Sequence, residues 1–138
     1  MITINNPRVL TRTPYVFLVH AVCEVAGTHR WADAPLEYAY LSAQHRHMFE
    51  IQVTLQVPDS DRAIEANWLQ TLIEDTLRMR FRLNEEGFSD MPGHLNFGGR
   101  SCEQVAEYLF HNCELLADAV HGSILVLEDG RNGGGLTW

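Results

Sequence analysis

The sequence predicts an α+β fold: a four-stranded antiparallel sheet with two helices packed on one face, in the order strand, strand, helix, helix, strand, strand. Three observations carry that reading. Two long β-forming runs, 14–25 and about 47–57, follow each other early in the chain. Apolar positions then shift to helical spacing in two consecutive segments, 66–79 and 102–113. A third apolar run, 123–128, leads into a glycine-rich turn and a short return strand. Strands grouped apart from helices pack as a helical layer on a sheet. With 138 residues, the chain is expected to form one domain, 1–138.

Taken in order, residues 1–13 read as a lead-in, with Ile2-Thr3-Ile4 a candidate edge strand. The first long strand, Pro14 to Val25, sets Tyr15, Phe17, Val19, Ala21, Cys23 and Val25 on one face. Leu36 to Gln44 fits either extended chain or a short helical turn. The second strand alternates as Phe49, Ile51, Val53, Leu55, Val57, and Pro58-Asp59-Ser60-Asp61 ends it. Ile64, Trp68, Leu69, Leu72, Ile73 and Leu77 give the first helix an apolar stripe. Residues 83–100 contain Gly87, Pro92, Gly93, Gly98 and Gly99 and read as a long loop. Ser101 with Gln104 three residues on is a capping box opening the second helix, which continues through Val105, Ala106, Leu109, Phe110 and Cys113. Ser123 to Glu128 is the third strand, Asp129 to Gly134 the turn, and Gly135 to Trp138 the return strand.

Composition narrows the function classes. The formal charge is −8, and all ten basic residues are arginine. Sequence-independent nucleic-acid binding needs a basic surface, so it is disfavoured. No apolar run approaches the ~20 residues of a membrane span. The first residues lack a basic start followed by an apolar stretch, so the chain is expected to be cytoplasmic. Cys23, Cys102 and Cys113 are odd in number and widely spaced, which fits reduced thiols.

The chemistry centres on His45-Arg46-His47. On a strand, residues i and i+2 point to the same side, so both imidazoles can reach one point. His29 lies 16 residues upstream, at the end of another strand-like run. Three neutral imidazoles with an open fourth position make up a catalytic zinc site. Polar residues at a strand start would give the same spacing. Glu128, at a strand end beside a turn, can accept two parallel hydrogen bonds from the N–H and amino edge of a pterin or guanine, or it can be a solvated turn acid. Arg78, Arg80 and Arg82 suit phosphate binding, or a solvated cluster at a helix C-terminus.

Several of these segments, in order and spacing from about Tyr15 to Asn132, resemble the family of 6-pyruvoyl-tetrahydropterin synthases and 6-carboxy-tetrahydropterin synthases. Gly27-Thr28-His29-Arg30-Trp31 resembles its first histidine motif. His45-Arg46-His47-Met48-Phe49 resembles its paired-histidine motif, with Arg46 in place of glycine. Asp61-Arg62-Ala63-Ile64-Glu65 and Ser101-Cys102-Glu103-Gln104-Val105-Ala106 resemble the segments opening its two helices. The resemblance implies the tunnelling fold (T-fold), zinc on His29, His45 and His47, Glu128 as anchor of the pterin ring, and a homo-oligomer, such as a hexamer, with sites between subunits. Glu103, Arg80 and Arg82 join Glu128 as candidate contacts to a pterin or guanine-like nucleotide.

The departures are as informative. The family's proton-shuttling cysteine falls at Leu41, beside Ser42, and its aspartate–histidine pair falls in 77–84, where neither residue type occurs. Leucine moves no protons and arginine stays charged, so the standard synthase reaction is not expected by the standard route. Three readings follow. A zinc enzyme would need a base from elsewhere, among His94, His111, Glu103 and Glu128. A non-catalytic sponge would hold a signalling nucleotide unaltered, a role that suits divergent relatives of this type in bacteriophage genomes. An assembly protein would keep the histidines as vestiges or as a structural metal site.

Overall fold

The computed structural model describes residues 14–82 and 94–138. Strand β1 (Phe17–His29) pairs antiparallel with β2 (His45–Val57) along its whole length, from Phe17 opposite Val57 to His29 opposite His45. β2 pairs on its other side with β4 (Gly122–Glu128), and β4 pairs with β5 (Asn132–Thr137), both antiparallel. The α+β class is as expected, but among the described residues the sheet has five strands, not four. A two-residue strand, β3 (Leu95–Asn96), pairs parallel to β1 and gives the order β3-β1-β2-β4-β5. It falls in the stretch read as loop, because two residues are too few to show alternation. Backbone bonds from Phe97 N to Thr28 O (2.8 Å) and Arg30 N to Gly98 O (2.9 Å) hold it in place.

The described helices are α1 (Ala66–Phe81), α2 (Cys102–Asn112) and α3 (Glu114–Asp118), with a 3-10 segment at Leu36–Leu41. The ambiguous 36–44 stretch is thus partly helical. α3 is an extra element beyond the two helices expected, since Cys113 leaves helical geometry and a new turn starts after it. Glu65 caps α1, its carboxylate accepting from Asn67 N and Trp68 N. Those two hydrogen bonds, Asn67's first, hold its carboxyl below its usual pKa. The buried stripe of α1 is Leu69, Ile73, Leu77 and Phe81. Trp68, assigned to that stripe from sequence, is 53% exposed. The capping box of α2 is present: Gln104 N donates to Ser101 Oγ and Ser101 N to Gln104 Oε1.

Strand alternation puts Ala21, Cys23, Val25, Phe49, Ile51, Val53, Ile124 and Val126 on one sheet face, buried against the helices. Each fully buried large side chain there contributes ~1.5–3 kcal/mol. The β1 strand ends at His29 rather than Val25, and β2 begins at His45, two residues ahead of the expected start. Those extensions matter for the site. His29, His45, His47 and Glu128 continue the same parity, so they sit on the core-facing side at one end of the sheet. The expected edge strand at Ile2-Thr3-Ile4 lies outside the described residues. β5 starts at Asn132, so the turn is only Asp129-Gly130-Arg131.

Candidate metal centre

Register builds the site. His29 faces His45 across the β1–β2 pair, and His47, two residues on, faces Gly27. Opposite His47 a side chain would not fit: a Cβ on Gly27 would stand 2.8 Å from Phe97 Cε2 and 3.0 Å from Phe49 Cδ2. Phe49 therefore forms the floor, its ring centroid 5.1 Å from that of His29 and 5.7 Å from that of His47. The three imidazoles crowd above it, with centroids 4.5 to 5.4 Å apart. One ring nitrogen from each lies within 4.8 Å of those of the other two.

The hydrogen bonds decide which nitrogens those are. His29 Nδ1 lies 3.0 Å from Arg100 O, His45 Nδ1 2.9 Å from Ala43 O, and His47 Nδ1 2.8 Å from Asp129 Oδ2. All three partners are oxygens, which only accept, so each Nδ1 carries the hydrogen and donates. In the neutral ring each Nε2 then keeps a lone pair. Fixing one ring nitrogen so that the other faces the ion is how proteins orient histidine ligands. The Nε2 atoms of His29 and His47 are buried and have no hydrogen-bond partner. A buried polar atom left unmatched is costly, and a cation shared among three such lone pairs removes the cost. The donor set thus fits a metal ion of the imidazole-binding class.

Burial, the largest influence, lowers the pKa of His29 and favours its neutral, ligand form, although the Arg100 carbonyl and Glu128 pull the other way. Asp129 is held below its ordinary value first by the hydrogen bond from His47, then by that from Met48 N. It reaches both through the tight β4–β5 turn, where its own φ is +55° and that of Gly130 is +71°.

Beside the imidazoles lies an open cleft of about 650 Å³ lined by residues that include His29, His45, Trp31, Leu41, Glu103 and Glu128. Leu41 therefore occupies the cleft itself. Glu103, from the first turn of α2, reaches the cleft, but Arg80 and Arg82 are not among its lining residues. They end α1, with the Arg80 guanidinium 5.2 Å from the Phe81 ring centroid. Arg30 and Arg100 supply the cleft's positive charge instead. His94 and His111 lie outside it as well. The sequence reading missed Asp129, which it took for a turn residue, and Cys102, which it took for helix. Cys102 lines the cleft with its thiol 3.7 Å from Glu128 Oε1. Burial above all, then Glu128 and Glu103, pushes that thiol up to about 12. An acidic pair, Glu128-Asp129, at the start of a turn was the available signal for the former; nothing marked the latter.

No protein-family model matches the chain. No curated protein matches it either. Among solved structures, the crystal structure of an uncharacterized protein from Wolinella succinogenes is similar, with a TM-score of 0.53 at 13% identity over 88% of this chain and 98% of that one. At that identity the likeness concerns the fold alone: two chains of nearly matching extent share one α+β architecture.

Proposed function

We propose that this chain is a zinc-bearing protein that binds a pterin or a guanine-like purine nucleotide, built as a T-fold similar to the 6-pyruvoyl-tetrahydropterin synthases but without their proton relay. The observation that carries this reading is the trio of imidazoles whose Nδ1 atoms are each committed to an oxygen. Zinc, bound by neutral imidazoles, suits that set. When bound, it supplies a Lewis acid able to polarise a ligand carbonyl.

The chain's own residues account for ligand binding. Trp31 offers an aromatic wall to a planar ring. Glu103 and Glu128 are carboxylates able to take the N–H and amino edge of such a ring. Arg30 and Arg100 suit phosphate oxygens. Against turnover, the cleft has Leu41 where the resemblance calls for a cysteine, and its one thiol, Cys102, stays protonated near neutral pH. Those two facts favour a second reading of the same pocket, a sponge that holds a signalling nucleotide unaltered. A homo-oligomer, a hexamer by the resemblance, is part of this proposal; among the described residues the outer sheet face leaves Leu18, Met48 and Leu125 exposed. A cytoplasmic location belongs to this proposal too.

Native mass spectrometry with metal analysis tests the reading in one measurement. The expected result is one zinc ion per chain in an oligomer, with a pterin- or purine-sized molecule retained. Release of that molecule unaltered on denaturation supports the sponge, and a chemically changed product supports an enzyme. Finding neither metal nor small molecule would overturn both and leave an assembly role.

A further inference from the structure

We infer that the ligand site continues past the cleft into a second hollow and takes a dinucleotide: one base beside the metal centre, the linking phosphate on Arg100, the second nucleoside along α2. This rests on the guanine-nucleotide reading above. The second hollow has a volume of about 480 Å³, within the ~300–1,000 Å³ usual for small-molecule sites. Glu107, Tyr108, His111 and Asn112 of α2 line it, and Gly99, Arg100 and Gln104 line both hollows. The ridge between the two is low. A Cβ on Gly99 would meet nothing within 4 Å, so the space above that residue is open. Gln104 folds back on the helix start, its Oε1 accepting from Ser101 N at 2.9 Å. Arg100 is then the charged side chain at the junction.

Arg100 is fixed at both ends. Its carbonyl accepts from His29 Nδ1, which ties its backbone to the metal centre. Its guanidinium lies 5.0 Å from the Phe81 ring centroid and donates through Nη1 to Phe97 O at 3.3 Å. A guanidinium carries five N–H donors in a fork that matches phosphate oxygens. On α2, Glu107 and His111 are one turn apart and exposed, while Val105, Ala106 and Leu109 face the core. A carboxylate can accept from the N–H and amino edge of a guanine, and an imidazole can stack on a base. Glu128 lines the first hollow, Arg100 both, and Glu107 the second. That order of carboxylate, arginine and carboxylate matches base, phosphate and base, and a mononucleotide would leave the second hollow unfilled.

The test is isothermal titration calorimetry on the full chain supplied with zinc, using neopterin, GMP, GDP and the linear dinucleotide pGpG. GDP adds charge to GMP without a second nucleoside. The expected result is that pGpG binds at least about tenfold more tightly than GMP or GDP, because its second half, once tethered, binds as an intramolecular event. Two variants probe the second hollow and the ridge. His111→Ala changes an exposed side chain, and Gly99→Phe sets a ring on the ridge at a residue whose φ is not left-handed, unlike that of Gly98. Each is expected to bring the ratio of pGpG to GMP affinity toward one, and a shift in either supports the inference. A ratio unmoved in both would overturn it, as would GDP binding as tightly as pGpG. Binding of neopterin or GMP with no preference for pGpG would overturn it too and leave the ring-binding reading intact. If none of the four binds, both fall.

Discussion

Asp129 joins the β4–β5 turn to the first residues of β2 through two carboxylate oxygens, one on His47 Nδ1 and one on Met48 N. It touches no Nε2 atom, so its contribution to metal binding is orientation. Asp129→Ala should leave the fold intact and lower zinc affinity roughly 10–100-fold, as loss of such partners does elsewhere; chelator competition measures it, and an unchanged affinity would show that His47 orients itself. The cysteines give a pH prediction. Burial first of all raises Cys23 and Cys102 from 9.0 to about 12. A raised folded-state pKa means that the folded chain holds a proton the unfolded chain gives up. The stability linked to these thiols is therefore complete below pH 9 and lost as pH climbs from 9 toward 12. Chemical denaturation followed across that window should show a falling midpoint, reduced in a Cys23→Ala variant; a flat profile would contradict the assignment.

At the scale of elements, the centre depends on how closely β1, β2 and β3 approach. Gly27 permits it, because Phe97, just past β3, and Phe49 of β2 fill the space a side chain would need. Gly27→Ala should cost about 1–3 kcal/mol, the usual range for overpacking a core, readable as a lower urea midpoint. It should also displace Phe49, and with it the imidazoles above, so cobalt spectra should broaden. The α2 cap adjoins the centre, because the Arg100 carbonyl that holds His29 belongs to the peptide just before Ser101: Ser101→Ala should cost ~1 kcal/mol, readable as a lower urea midpoint. The helices and long strands were legible because each repeats its pattern over several periods, as in Leu69, Ile73, Leu77 and Phe81 or Phe49 to Val57. β3 was not legible, since Leu95 and Asn96 are a strand only because β1 lies beside them.

For the molecule as a whole, helices cover one sheet face among the described residues and no element covers the other. Leu18, Met48 and Leu125 share that outer face and are exposed. No described helix is long and apolar enough to cross a membrane. A second copy of the sheet is the proposed cover for these side chains. Replacing Leu18 and Leu125 together by glutamate should shift the mass seen by light scattering toward the single chain. An unchanged mass would place the contact elsewhere or remove it.

The sequence by itself determined the α+β class, the faces of β1 and β2, the capping box at Ser101 and the three histidines as a candidate set, because each rests on local periodicity or on spacing along one strand. Tertiary structure alone decided the rest. Only the antiparallel register brings His29 opposite His45. Only the fold turns Glu128 toward two Nε2 atoms, sets Asp129 behind His47, and leaves Arg80 and Arg82 away from the cleft. These are contacts between residues up to 99 positions apart, as His29 to Glu128, and spacing along a chain carries no information about which distant atoms will meet.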